Sequence, residues 1–405
     1  MKILLLNQTF HPDVVATALY LSDLAQGLRE KGHEVSVIAG SRAYDNLEKR
    51  FPARENWNGI EIYRIPSTGF GKGAKWRRAI DFASFMVMCA FKLLTIPRFD
   101  AVVALTSPPL ISVFGATAAK LRGAKFYYWV MDLNPDEAIA AGWLRAKSFP
   151  ARVLEALSRF SFSNSEKIFA LDRFMRDRIR AKEIPEDRIE VIPPWSLDDE
   201  VSFDPEGRDL FRKQHGLTDK YVIMYSGNHS PCHPLDSIVD AAVKLKEDTR
   251  FVFLFVGGGS EHKKIARRIE DEGLRNVRCL PYQPMEKLAG SLSAADLHVV
   301  VMGEPFVGMI HPCKIYNILS ISAPFLFIGP EASHVGDLIA KYPDAFLCRR
   351  SAQGEVDIIA DHIVTMADEG GRGVSEKYAE ASSHSSKEKL MSRFIELIEI
   401  GHQQG

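Results

Sequence analysis

The sequence predicts an α/β protein made of two doubly wound, parallel-sheet domains. Its 405 residues exceed what one hydrophobic core usually supports. Short apolar runs alternate with stretches of helical periodicity through both halves of the chain, a pattern typical of parallel sheets with right-handed crossovers. An acidic stretch without apolar periodicity, residues 196–206, separates the halves and suits a linker between domains.

The first half begins with a βαβ unit. Residues 2–7 form an apolar run typical of a strand buried on both faces, and Leu21, Leu24 and Leu28 recur at helical spacing. The helix is expected to end at Gly32, and a second strand follows over 34–39. The remaining predicted elements of this half are strands over 100–105, 125–131, 167–171 and 188–192 and a helix over 110–121.

The second half repeats the alternation. Strands are predicted over 221–225, 251–256, 277–280 and 297–302, and helices over 235–246, 262–272 and 285–294. We therefore expect domains over 1–197 and 205–378. Residues 379–405 are expected to form a C-terminal helix that crosses back to the first domain.

Bulk properties exclude several classes of protein. An apolar fraction of 46% and a charged fraction of 25% are ordinary globular values. The net charge of −1 gives no overall attraction to nucleic acid. Five scattered cysteines contain no C-x-x-C pair, which argues against a zinc site or a disulfide framework and favours reduced thiols in the cytoplasm.

Ligands of doubly wound sheets bind at the loops that follow the strands. The loop after the first strand, Asn7 to Asp13, lacks G-x-G-x-x-G, so a dehydrogenase is the least favoured class. Gly257, Gly258 and Gly259 lie between a predicted strand and a helix. Such a turn either cradles a phosphate or is only a tight connection.

Together, the motifs resemble the family-4 retaining glycosyltransferases of the GT-B fold, over nearly the whole chain. The Asp132-Leu133-Asn134-Pro135-Asp136 turn is similar to the DLWPE turn of members that build bacterial surface polysaccharides. The other segments that carry the resemblance are 31–35, 189–193, 225–228, 256–259, 280–282 and 311–317, the last being similar to the family's P-x-K-x-x-E segment.

The resemblance implies both a fold and a reaction. The expected fold is GT-B, with two Rossmann-like domains facing each other across a cleft. The expected reaction moves a sugar from a nucleotide sugar, by default a UDP-sugar, to a saccharide or polyprenyl-linked saccharide in cell-surface polysaccharide synthesis. Retention of configuration is expected, and no metal or other cofactor.

A diphosphate leaving group needs positive charge, which helix N-termini and cations can supply. Pro312 suits the first position of a helix, and Lys314 in that first turn would face the diphosphate. A solvated lysine at the start of a surface helix is the alternative. The expected donor-binding residues are Gly227, Asn228, Gly257, Gly258, Tyr282, Glu304, Met309, Ile310, His311, Pro312, Lys314 and Asn317.

Two positions depart from the family pattern. Met309 and Asn317 stand where members commonly carry glutamates eight residues apart, and Glu304 is the nearest possible substitute. An amide such as that of Asn317 still bonds a ribose hydroxyl, whereas a methionine replaces no carboxylate. A nucleotide-sugar-binding partner subunit without turnover is therefore one alternative to a transferase. An epimerase on the same fold is another, although the lack of carboxylates in this motif speaks against it.

On the acceptor side, Asp132 and His11 are the candidate catalytic residues, beside Lys314. Asp132 follows the strand predicted over 125–131 and would orient an acceptor hydroxyl or accept its proton. Its alternative role is to cap the following turn. His11, in the first loop, is either a site residue or a local hydrogen-bonding group.

Residues 64–98 combine seven basic side chains with one acid, Asp81. A basic cluster beside an apolar helix can lie at an anionic membrane surface. We expect Lys72, Lys75, Arg77 and Arg78 to form that contact, on the acceptor side, and the helix after them to be buried in the domain. The expected location is cytoplasmic, with peripheral contact at the inner face of the membrane left open.

Overall fold

The computed structural model describes residues 1–44, 48–70, 75–195, 201–343, 345–371 and 386–403, with backbone alone at Lys75, Arg78, Ala79 and Gln403. These residues form two compact units. The first unit comprises Met1–Pro194, Gly308–His311 and the C-terminal segment from Glu388. The second unit comprises Trp195–Val307 and Pro312–Lys387.

The first unit contains an eight-stranded sheet of order β3-β4-β2-β1-β5-β6-β7-β8. All of its neighbouring strands are parallel except β3 and β4. Its elements are β1 Lys2–Leu6, α1 Ala16–Glu30, β2 Glu34–Gly40, β3 Arg54–Trp57, β4 Ile60–Ile65, α2 Lys75–Thr95, β5 Ala101–Ala104, α3 Ile111–Arg122, β6 Lys125–Trp129, α4 Asp136–Ala140, α5 Phe149–Ser163, β7 Lys167–Ala170, α6 Arg173–Arg180 and β8 Ile189–Val191.

The second unit contains a six-stranded parallel sheet of order β11-β10-β9-β12-β13-β14. Its elements are α7 Pro205–Gln214, β9 Tyr221–Asn228, α8 Asp236–Lys244, β10 Phe251–Gly258, α9 Ser260–Glu272, β11 Val277–Leu280, α10 Leu288–Ser293, β12 Leu297–Val301, α11 Lys314–Ser320, β13 Phe325–Ile328, α12 His334–Lys341, β14 Cys348–Ser351 and α13 Val356–Glu369. The predicted class, two parallel-sheet α/β units, is confirmed.

The last helix, α14 (Lys387–Gln403), packs on the first unit. The ring of Phe394 stacks on Phe169 with 3.8 Å between centroids, and Glu399 pairs with His33 at 2.9 Å. The Tyr127 hydroxyl donates to the carbonyl of Ile398 at 2.9 Å. The apolar face of α14 thus covers strands β6 and β7 of the first sheet.

Helix α2 was predicted to be buried, but the structure buries only one of its faces. Phe85, Cys89 and Leu93 are buried, but Phe91 and Leu94 on the other face are 61% and 72% exposed. The predicted linker also ends earlier than expected, because Asp204 caps α7, which begins at Pro205. No helix in the described part of the chain is long and apolar enough to cross a membrane.

Candidate functional site

Two glycine turns meet at the carboxyl edge of the second sheet. In the register of β9 and β10, Gly227 lies opposite Gly257. Both have left-handed φ angles, 128° and 133°, and a Cβ on Gly257 would lie 2.1 Å from the carbonyl oxygen of Gly227. Only glycine permits this approach, so the two backbones form a surface without side chains at the end of the strands.

Lys314, the first residue of α11, lies beside this surface. Its Nζ atom is 3.2 Å from the centroid of the Tyr225 ring and 3.6 Å from the position that a Cβ on Gly227 would take. The atom is buried and has no hydrogen-bond partner among the described residues. Burial lowers the pKa of the amine well below its ordinary value, and the ring face below it compensates only part of that cost.

Two neutral histidines flank the lysine. His229 is fully buried, and its Nδ1 lies 2.9 Å from the carbonyl oxygen of Gly227. Since a carbonyl only accepts, Nδ1 carries the proton. Burial, followed by the charge of Lys314, lowers the pKa of His229 to about 3, and the same two causes lower that of His233 to about 3. The imidazoles therefore add no positive charge at neutral pH.

The other predicted donor residues of the second unit lie along the same edge of the sheet. The exposed Tyr282 ring follows β11 and would lie 3.2 Å from a Cβ on Gly258. Asn228 ends β9 with an exposed side chain, and Glu304 is exposed after β12. Asn317 lies one turn after Lys314 and is half-buried. β11, β10, β9 and β12 are consecutive neighbours in the sheet, so these residues border one edge.

The start of α11 corrects one expectation. Pro312 is not the first helical residue, because the helix begins at Lys314. The Pro312 carbonyl accepts from Ile315 N at 3.3 Å, which makes a short turn before the helix. Lys314 therefore emerges at the turn-to-helix junction, and the buried amine contradicts the alternative of a solvated surface lysine.

Met309, Ile310 and His311 belong to the first unit by their contacts, although they were predicted within the second domain. The carbonyl of Met309 accepts from Leu133 N at 2.7 Å. His311 pairs with Asp172 at 2.9 Å, and Asp172 also caps α6 by accepting from Met175 N. These bonds fix the segment to the first unit, and a donor-binding role for its residues stays a prediction.

The acceptor-side candidates lie at the carboxyl edge of the first sheet. β1 and β6 both neighbour β5, His11 follows β1, and Asp132 follows β6. Burial, with a smaller effect from the charge of Glu137, raises the pKa of Asp132 to about 8. The carboxyl group therefore holds a proton at neutral pH and ionises just above it.

His11 is held by local contacts. Its ring stacks on Trp57 with 4.1 Å between centroids, and its carbonyl accepts from the buried Arg64, which also pairs with Glu55. Burial and the nearby Arg64 charge lower the pKa of His11. The ring is consequently neutral at neutral pH.

The predicted basic contact is described only in part. Lys72 lies outside the described residues, and Lys75 and Arg78 have described backbone alone. Arg77 is exposed, with its guanidinium 5.4 Å from the centroid of the Trp76 ring. The assignment of these four residues to a membrane contact stays a prediction.

Sequence reasoning missed Tyr225 and His262. Tyr225 lies under Lys314, and the His262 ring lies 4.9 Å from that of His229. Tyr225 alternates inward within an ordinary strand, so no local signal distinguishes it from a core residue. His262, on the first turn of α9 after three glycines, had a usable signal in its position at the turn.

The chain matches two protein families in succession. Residues 16–195 match the "Glycosyl transferase 4-like domain", and residues 207–306 match "Glycosyl transferases group 1". The chain belongs to the glycosyltransferases of the GT-B fold that combine these two domains, and it is a transferase enzyme.

Relatives and solved structures match over almost the full length. WcaI of Escherichia coli strain K12, assigned as a colanic acid biosynthesis glycosyl transferase, is 24% identical to this chain. The match covers 98% of this chain and 99% of WcaI. Sucrose-phosphate synthase from Thermosynechococcus elongatus superposes with a TM-score of 0.75 at 12% identity, covering 98% of each chain. Anabaena HepE in complex with UDP-glucose superposes with a TM-score of 0.71 at 16% identity, covering 98% of each chain.

Proposed function

We propose that this glycosyltransferase transfers a sugar from a UDP-sugar to a saccharide or lipid-linked saccharide during assembly of a cell-surface polysaccharide. The observation that carries the proposal is the buried Nζ of Lys314, which has no hydrogen-bond partner in the described part of the chain and lies beside the surface formed by Gly227 and Gly257. A buried amine without a partner is costly, and a diphosphate is the ligand that would compensate the cost.

The residues at the edge of the second sheet support one geometry for the donor. The diphosphate lies against the glycine turns and is bonded by Lys314, which becomes charged when the anion arrives. The nucleoside extends towards Tyr282, whose exposed ring offers a stacking face, and Asn317 bonds a ribose hydroxyl. The similar HepE structure contains UDP-glucose, which supports uridine as the base.

The transfer itself breaks the bond between the anomeric carbon and the diphosphate oxygen, which leaves with the electron pair. An acceptor oxygen forms the new bond on the same face, so the configuration is retained. Asp132 in its ionised form accepts the hydroxyl proton. Lys314 stabilises the developing charge of the leaving group, a role that a metal ion has in other transferases.

The relatives support the proposed class of acceptor. WcaI is assigned to colanic acid biosynthesis, and this supports a growing surface saccharide as the acceptor here. Neither alternative to a transferase, the subunit without turnover or the epimerase, is favoured. An epimerase needs several acid–base groups around the sugar, and the relatives that match this chain are named as glycosyltransferases, which supports turnover.

The direct test measures release of UDP from UDP-sugars in the presence of a mixture of saccharide acceptors. We expect release that depends on the acceptor, persists in a metal chelator, and falls by about 100-fold in Lys314→Met. Lys263→Met, which removes an exposed lysine on the neighbouring helix α9, is the matched control and should behave as the wild type. Binding of UDP without any acceptor-dependent release would instead support the subunit without turnover.

A further inference from the structure

The outward face of α2 is an apolar stripe. Its large side chains are 59% exposed at Trp76, 41% at Ile80, 55% at Val87, 61% at Phe91 and 72% at Leu94. Steps of four, seven, four and three residues place these side chains on one side of a helix. The stripe therefore follows nearly the whole length of α2, which runs from Lys75 to Thr95.

The opposite face of α2 holds the helix in the domain. Phe85, Cys89 and Leu93 are buried, and the amine of Lys92 lies 3.7 Å from the centroid of the Tyr63 ring of β4. The orientation of the helix is thus fixed by its own packing. The stripe is an outer surface of the first unit and not part of its core.

Most of the charged residues in the sequence around the stripe are basic. Asp81, the only acid between residues 64 and 98, accepts from the Thr68 hydroxyl at 2.7 Å and from Phe70 N at 3.0 Å, so its charge is engaged locally. In sequence, the helix starts among basic residues and is followed by another. Lys72 and Lys75 precede the stripe, Arg77 and Arg78 lie between Trp76 and Ile80, and Arg98 follows Leu94.

The combination of an exposed apolar stripe and nearby basic residues favours one partner for this face of α2. A second copy of the chain would bring the same basic residues against each other across a two-fold contact, which is unfavourable. An anionic lipid surface matches both features, because it takes apolar side chains into the acyl boundary and basic ones at the headgroups.

We propose that α2 lies flat on an anionic membrane, with Val87, Phe91 and Leu94 inserted below the headgroups. The first unit is thereby held at the surface where a lipid-linked saccharide would be presented. Presentation of a lipid-linked saccharide rests on the proposed function, whereas membrane binding does not. The proposal also assigns to α2 itself the contact that the sequence placed in the basic segment before it.

The experiment is co-sedimentation of the full chain with vesicles of phosphatidylglycerol and phosphatidylcholine, and with vesicles of phosphatidylcholine alone. We expect binding to the anionic vesicles, and apparent affinity lower by about tenfold or more for Phe91→Gln/Leu94→Gln. The matched control is Leu210→Gln/Ile358→Gln, which removes apolar side chains that are 65% and 44% exposed on α7 and α13 of the second unit. This control should bind as the wild type does.

Three results would overturn the proposal: no binding to either vesicle, equal binding to neutral vesicles, or equal binding by the α2 variant. A fourth contradicting result could come from sedimentation velocity without lipid. If the wild type is a dimer and Phe91→Gln/Leu94→Gln is a monomer, the stripe is covered by a second copy of the chain. Thermal stabilisation by UDP, measured on the same samples, depends on the second unit. Absence of stabilisation by UDP would count against the proposed function, whatever the result of the vesicle experiment.

Discussion

The Nζ of Lys314 lies over the ring of Tyr225, with the buried His229 close by, and no described group accepts a hydrogen bond from it. Desolvation makes the charged amine unfavourable in the free protein, as the direction of its pKa shows. A ligand with two negative charges would reverse that balance. The residue is therefore expected to lower stability and to raise affinity for nucleoside diphosphates.

Lys314→Met tests both effects at once. We expect the unfolding temperature to rise by about 2 °C or more at neutral pH, because the apolar side chain keeps the ring contact without the desolvated amine. Affinity for UDP should fall by about tenfold or more. Thermal unfolding with and without UDP measures both.

The stability effect has a defined pH dependence. Since the folded-state pKa is lowered, the unfolded chain binds more protons, so wild-type stability should rise with pH towards the ordinary lysine pKa of about 10.4. The advantage of Lys314→Met should shrink over the same range. A variant that is destabilised, with unchanged UDP affinity, would show a packing role only.

Asp132 gives a prediction for the rate. Because its pKa is raised to about 8, only a minority of the carboxyl groups can accept a proton at neutral pH. Transfer to the acceptor should accelerate with pH and level off above about pH 8, and Asp132→Asn should lose both the rate and this rise. Initial rates across a pH series measure it, with UDP binding as the control. An unchanged profile in Asp132→Asn would assign Asp132 to capping.

At the scale of the elements, the ends of β9 and β10 depend on glycine. Gly257→Ala would place a Cβ 2.1 Å from the Gly227 carbonyl oxygen at a φ of 133°. We expect a loss of about 3 kcal/mol in the free energy of unfolding, with loss of UDP binding. Gly273→Ala, at a φ of 62° with no atom of the described residues within 4 Å of the new Cβ, is the matched control.

The control isolates the steric part of the effect. Gly273→Ala should cost about 1 kcal/mol from the left-handed backbone alone and leave UDP binding intact. Denaturant unfolding of both variants gives the difference. Equal costs would mean that the two strand ends move apart easily and do not form a fixed surface.

Elements with strong periodicity were predictable, and the sheet edges were not. Strands β1, β5, β6 and β7 are short, mostly buried apolar runs, so composition alone places them. The hairpin of β3 and β4 was missed, although its Asn58-Gly59 turn, with φ of 50° and 80°, is a strong hairpin signal. The half-exposed residues of β3 lack the apolar pattern that drew attention elsewhere.

Helix α2 shows the limit of composition at the same scale. A helix that is apolar on nearly all sides is predicted to be buried. The sequence does not say which neighbouring elements cover each of its faces. In the structure, one face of α2 packs on the domain, and Phe91 and Leu94 on the other face are exposed. Exposure depends on the number of layers around the helix, and only the folded domain determines that number.

At the scale of the molecule, the order of motifs along the chain predicted the family, the fold and the two α/β units. It did not predict that Gly308–His311 returns to the first unit, because that depends on a distant aspartate, Asp172, and on the backbone of Leu133. Asp132, Lys314 and the glycines were predicted from motifs. Tyr225, which positions the amine of Lys314, became evident only from the packing of a strand against α11.

The central claim is that the second unit holds a nucleoside diphosphate at Lys314, and thermal unfolding with UDP, GDP, ADP, dTDP and their sugars tests it most directly. A ligand at 100 times its dissociation constant should stabilise the protein by about 2.7 kcal/mol. We predict that UDP and a UDP-sugar raise the unfolding temperature of the wild type, and that Lys314→Met loses most of the effect. Absence of stabilisation by every nucleotide in the panel would contradict the claim.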